Sequence, residues 1–110
     1  MTRIKSYERF YDGDCTLEYA QPAIDMCLPM ALSAMTTPTK YAAWKDHGTP
    51  CTYIKCLNDR AVTPAICDTY ITRMRGAGVD VEVETMDCGH SPAHVAPREL
   101  AALIARIATG

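Results

Sequence analysis

The sequence predicts an α/β fold: two parallel strands, each followed by a helix, behind a set of shorter helices. The first strand signal is Cys51-Thr52-Tyr53-Ile54-Lys55-Cys56-Leu57, which follows Gly48 and Pro50, is rich in β-formers and stops at Asn58-Asp59. The second is Val79-Asp80-Val81-Glu82-Val83-Glu84-Thr85-Met86, whose period-two alternation marks a strand with one covered face. The helix signals are apolar residues at three- and four-residue steps. Ile66, Cys67, Tyr70, Ile71 and Met74 follow Pro64, and Leu100, Leu103, Ile104 and Ile107 follow Pro97. Gly76 and Gly78 supply the stop between the first helix and the second strand. This order predicts a right-handed βαβα unit with parallel strands at about 51–57 and 80–86.

Upstream, Leu17, Ala20, Ile24, Cys27 and Leu28 keep helical spacing, but Pro22 and Pro29 interrupt it. A further short helix is expected over Ala31, Leu32 and Met35, ended by Thr36-Thr37-Pro38, before an apolar patch of Tyr41, Ala42 and Trp44. The 110 residues are read as one domain, helical over about 1–47 and βαβα over about 48–110.

Composition narrows the functional classes. A hydrophobic fraction of 48% with 22% charged residues is that of an ordered globular chain. Eleven basic against 13 acidic residues give a net charge of −2, which argues against a nucleic-acid or anionic-membrane surface. No apolar run approaches the ~20 residues of a membrane span. Arg3, Lys5, Glu8, Arg9 and Asp12 leave no apolar core for a secretory signal, so a cytoplasmic location is expected. The six cysteines are then read as reduced thiols, mostly small core residues.

In open parallel sheets, reacting groups collect beyond the carboxyl ends of the strands. Asp59 lies two residues past Leu57 and His90 four past Met86, so parallel pairing puts both loops on one edge of the sheet. A carboxylate accepting the imidazole proton fixes the tautomer and makes the other ring nitrogen a general base. The plainer roles for the same residues are a turn-forming aspartate and a structural histidine.

These segments resemble a known family. Pro50-Cys-Thr-Tyr-Ile-Lys-Cys-Leu-Asn-Asp59, with Val62 and Pro64, is similar to the seventh strand and acid loop of an α/β-hydrolase. Val83-Glu-Thr-Met-Asp-Cys-Gly-His90-Ser-Pro92 is similar to the eighth strand and histidine loop, and Pro97-Arg-Glu-Leu opens a helix like the family's last. The nearest likeness is to the small esterases and lipase-like enzymes of fungi and plants. Phe10-Tyr11-Asp12 and the helices after it resemble the family's cap section. The resemblance implies a partial hydrolase-like domain in which Asp59 is the triad acid and His90 the triad base.

Two parts of the family pattern, the nucleophile elbow and the oxyanion-hole loop that also comes earlier in the chain, are missing. The nucleophile elbow, Gly-x-Ser-x-Gly, precedes the acid and the base in chain order, and nothing upstream of Asp59 matches it. Gly89-His90-Ser91-Pro92-Ala93 mimics the motif, but Pro92 has no N–H to give an oxyanion, so Ser91 is a poor nucleophile. Cys88 and Cys56 are the alternative nucleophiles, with core packing as their simpler role. Cys88, His90 and His94 form a C-x-H-x3-H string, with Cys51, Cys56 and Cys67 upstream, but the tight paired spacings of zinc sites are absent. No metal and no cofactor are expected. Asp87 and His94 are read as loop or rim residues and His47 as a turn residue.

The resulting expectation is an Asp59–His90 dyad acting as general acid/base on a small, mostly apolar molecule, by isomerisation, cyclisation, elimination or direct hydrolysis by water. Tyr11, Tyr41 and Trp44, with Met26, Met30 and Met35, are the candidate substrate-binding residues. The alternatives are a non-catalytic interaction module or part of a serine esterase. Two strands are few for a free-standing sheet, and the 51–57 edge lacks a partner, so completion in a homodimer or by a second chain is expected.

Overall fold

A computed structural model describes residues 1–38 and 43–110, the side chains at 43 and 44 excepted. Its sheet among these residues consists of β1 (Cys51–Cys56) and β2 (Val81–Met86), paired in parallel with Cys51 opposite Val81 and Cys56 opposite Met86. Both strands match the expected segments to within one residue. Side chains alternate across a strand, and this ribbon shows what each face meets. Ile54, Cys56 and Met86 pack with Leu103, Leu100 and Ile107, and Glu84 receives both ends of the Arg106 guanidinium at 2.9 and 3.0 Å. Lys55, of the opposite parity, reaches Asp68 at 2.6 Å. The ribbon is therefore sandwiched between α7 (Pro97–Thr109) and α5 (Pro64–Gly76).

Both flanking helices open on proline, which has no N–H to leave unpaired in a first turn. The exit from α5 uses the predicted glycine stop. Gly78 holds a φ of +83°, and Val79 then donates back to the Met74 carbonyl at 3.0 Å, turning the chain directly into β2. Ile104, read as part of the α7 core face, is instead half exposed, because the two-stranded ribbon is too narrow to cover all of it.

The amino-terminal part holds short helices, as expected, with one addition. α1 (Arg3–Phe10) lies within the segment read as helical, where no individual helix had been assigned before Thr16; Thr2 caps it by accepting from the Lys5 N–H at 3.3 Å. α2 (Leu17–Asp25) is capped in the same way by Thr16 and continues through Pro22, which was expected to interrupt it. Pro22 removes only the bond to the Glu18 carbonyl, in an exposed first turn, and the helix stops within one turn of it. α3 (Leu32–Thr36) and α4 (Ala43–Asp46) complete this part, and α6 (Pro92–Val95) is a single turn between β2 and α7. Among the described residues, no helix is long and apolar enough to cross a membrane.

The core is small. Cys56, Met86, Cys88 and Leu103 form a buried cluster directly beneath the loops that leave the two strands. All six cysteines are free thiols, of which Cys56, Cys67 and Cys88 are buried, Cys15 and Cys51 half-buried and Cys27 exposed. Conversely, Met26, Leu28, Met30, Leu32 and Met35 all project from the surface, Leu28 at 87% exposure.

Candidate active site

The ladder between the strands continues for two residues beyond them. Leu57 donates to the Met86 carbonyl at 2.9 Å and Asn58 to that of Cys88 at 3.0 Å. The chain then turns at Asp59, whose Oδ1 accepts from the N–H groups of Ala61 at 2.7 Å and Val62 at 2.9 Å. An aspartate that bonds the backbone two and three residues ahead makes a self-contained turn, so the carboxylate is locked by its own loop.

His90 meets that carboxylate from the other loop. Its Nδ1 lies 2.9 Å from Asp59 Oδ2 and 3.1 Å from Oδ1. A carboxylate only accepts, so Nδ1 carries the proton and Nε2 presents its lone pair. The Asp59 side chain is only 9% exposed while that of His90 is 35% exposed, which places the carboxylate inside and the imidazole nearer the surface. Among the described residues Nε2 has no hydrogen-bond partner, and the Phe10 ring lies 5.0 Å from the imidazole centroid to centroid. Both sequence-identified residues are thus brought together in one dyad.

The other candidates separate. Ser91 precedes α6 as its N-cap, with its carbonyl accepting from the N–H groups of His94 and Val95, and Pro92 follows it. Cys56 and Cys88 lie under the dyad, 8% and 4% exposed. Burial, reinforced by the adjacent Cys88, pushes the Cys56 thiol up to about 12. Burial also raises Cys88, so both are held as neutral thiols and poor nucleophiles. His94 takes no part in the dyad. Its ring lies 4.7 Å from Tyr19 and 5.6 Å, edge-on, from Tyr11, and its Nε2 donates to the Tyr19 carbonyl at 3.1 Å. No group of three or more histidine, cysteine or acidic side chains among the described residues is arranged to hold a metal ion.

Of the candidate substrate-binding residues, Tyr11 is half-buried against His94. Tyr41 and the Trp44 side chain lie outside the described residues, while Met26, Met30 and Met35 face outward. Asp87 accepts from Asn58 at 2.9 Å across the mouth of the two loops, and His47 lies in the turn after α4. A cleft of about 530 Å³ is lined by Thr16, Glu18, Tyr19, Pro22 and His94. Another, of about 330 Å³, is lined by Asp12, Gly13, Asp14, Asn58 and Arg60 and borders the acid loop.

Three contacts of this neighbourhood have no counterpart in the sequence reasoning, which placed Phe10 and Asp12 only in a cap-like segment. Asp14 accepts from the Gly89 N–H at 2.6 Å, Asp12 pairs with Arg60 at 2.7 Å, and Phe10 leans on His90. The only local signal was Asp12-Gly13-Asp14 itself, which announces a turn but not what the turn touches.

No protein-family model matches this sequence, and no curated protein does.

Proposed function

We propose that this chain is an α/β-hydrolase-like enzyme, or the acid-and-base half of one, in which His90 is the general acid/base and Asp59 orients it. The observation that carries the reading is the double contact of His90 Nδ1 with a nearly buried, turn-locked carboxylate, at 2.9 and 3.1 Å, with Nε2 left open. Such an imidazole takes a proton at Nε2 and is stabilised as imidazolium by the carboxylate behind it. Without an internal serine elbow, the chemistry within reach of the chain alone is proton transfer on a small, mostly apolar molecule. Isomerisation, cyclisation, elimination and hydrolysis by a water that His90 activates all fit. The apolar rings of Phe10, Tyr11 and Tyr19 beside the two histidines favour that substrate class.

A second reading is favoured by the exposed apolar side chains at 26–35 and by an edge of β1 that no strand among the described residues pairs with, both of which suit burial against another polypeptide. In it the unit works as a homodimer or with a complementing chain, and a serine from outside these residues meets His90 Nε2.

Turnover of short aryl esters and of enolisable ketones by the wild-type chain, His90→Ala and Asp59→Asn tests the first reading. Activity lost in both variants with folding retained is expected; equal turnover in all three rules out the dyad, and no turnover in any leaves a non-catalytic interaction module. A fluorophosphonate probe separates the second reading, because it labels a serine only where a nucleophile has been supplied.

A further inference from the structure

The turn between α1 and α2 grips both loops of the dyad. Phe10 lies against the His90 ring, Asp12 pairs with Arg60 just after the acid, and Asp14 binds the peptide just before the base. Tyr7 closes the same turn from within by donating its hydroxyl proton to the Cys15 carbonyl at 2.7 Å. The Asp12–Arg60 pair is exposed and screened. The Asp14 contact is different in kind: the residue it binds is buried, and an N–H to carboxylate bond of 2.6 Å is short even for a charge-assisted one.

The local hydrogen bonds show why that contact matters. Cys88 is tied down through its carbonyl by Asn58, and Ser91 through its carbonyl by His94 and Val95. The peptide between them, which carries His90, is held by Asp14 across 75 residues of chain. Gly89 is what lets the carboxylate in. A Cβ at this position would stand 2.5 Å from Asp14 Oδ2 and 3.7 Å from the Asn58 carbonyl oxygen. Its φ is not in the left-handed region, so glycine is needed here for room and not for backbone freedom.

We infer that Asp14 is a positioning residue for His90, acting through the Gly89 N–H, and that Gly89 and Asp14 form a matched pair. The inference rests on the reading of Asp59–His90 as the acid–base pair for its catalytic consequence, but its geometry can be read without any substrate. Reacting groups displaced by about 1 Å can lose on the order of a hundredfold in rate, so releasing this peptide is expected to cost turnover about 10- to 100-fold.

The test is proton NMR of the full chain, following the His90 Nδ1–H resonance and the Gly89 amide proton in wild type, Asp14→Ala, Asp14→Asn and Gly89→Ala. Asp14→Ala is expected to shift the Gly89 amide upfield and to broaden the Nδ1–H resonance by exchange. Asp14→Asn, which still offers a carbonyl oxygen, is expected to keep most of both signals. Gly89→Ala leaves the carboxylate in the chain but pushes it away, and is expected to behave like Asp14→Ala. Unchanged Nδ1–H and amide signals in Asp14→Ala overturn the inference, as does a loss in Asp14→Asn equal to that in Asp14→Ala. Should Asp14→Ala not fold, retention of the Nδ1–H resonance in Gly89→Ala overturns it and loss supports it. Changed signals alongside turnover indifferent to His90→Ala would uphold the positioning role and sink the acid–base reading instead.

Discussion

Asp59 Oδ2 stands 2.9 Å from Nδ1 of His90, a residue 31 positions further along the chain. The separation is bridged by strand pairing: with Cys56 opposite Met86, the next residues of both chains emerge side by side at one edge. Replacing Asp59 by Asn keeps an oxygen for the Ala61 and Val62 N–H groups but sets an amide donor against the imidazole. The amide favours the tautomer with the proton on Nε2, the wrong one for a base. We expect turnover to fall by roughly 10²–10⁴-fold with little change in KM. Steady-state kinetics on a turned-over ester or ketone, with circular dichroism to verify folding, provide the measurement.

The dyad was legible in the sequence because it depends on local patterns and one topological rule. Strand-forming runs ending at Leu57 and Met86, a helix-length connection and parallel pairing suffice to bring Asp59 and His90 to the same edge. What supports them was not legible. Asp14 and Phe10 reach the histidine loop through the docking of α1 and α2, and no periodicity or turn chemistry encodes a contact across 75 residues. α1 was not singled out because charged and polar residues dominate Arg3–Phe10 and none of its side chains is fully buried; the signals it did carry were the cap, Thr2, and Ile4, Tyr7 and Phe10 at three-residue steps. The exposure of Ile104 is likewise a tertiary fact, set by how many strands lie beneath α7.

Leu103 is the floor of the site. It is 9% exposed and packs with Cys56, Met86 and Cys88, the residues that set the height of the two loops. Leu103→Ala is expected to destabilise the fold by about 2–4 kcal/mol, the transfer loss plus the cavity. Ile104→Ala, one residue along the same helix but half exposed, is expected to cost only about 0.5 kcal/mol in the isolated chain. Urea unfolding followed by circular dichroism compares the two; equal costs would place the core elsewhere.

The thiols respond to pH in a direction set by burial. Cys56 is raised from its ordinary 9.0 to about 12, first by burial and then by the neighbouring Cys88, so the folded state favours the protonated thiol. The associated stabilisation is fully present below pH 9.0 and is lost as pH rises through about 12, because only the unfolded chain ionises freely in between. Stability is expected to decline from about pH 9 upward, and Cys56→Ala to flatten that decline. At pH 8, iodoacetamide is expected to modify exposed Cys27 while Cys56 and Cys88 react only on unfolding, which mass spectrometry of the alkylated peptides reads directly.

Leu28 and Met26 are 87% and 80% exposed, and Met30, Leu32 and Met35 lie within the next nine residues, all facing out. Leaving that much apolar side chain in water forfeits roughly 25 cal/mol per Å² that an interface would recover. Among the described residues, the two-stranded ribbon also leaves the outer edge of β1 without a neighbouring strand. Both features would be relieved together by self-association or by a second chain. We therefore expect light scattering on the purified chain at micromolar concentration to give a mass above one protomer. Leu28→Lys with Met35→Lys is expected to shift the population to monomer without loss of helix content, because neither residue is part of the buried cluster around Leu103. A folded wild-type monomer that stays monomeric at these concentrations would remove self-association and leave only the complementing chain.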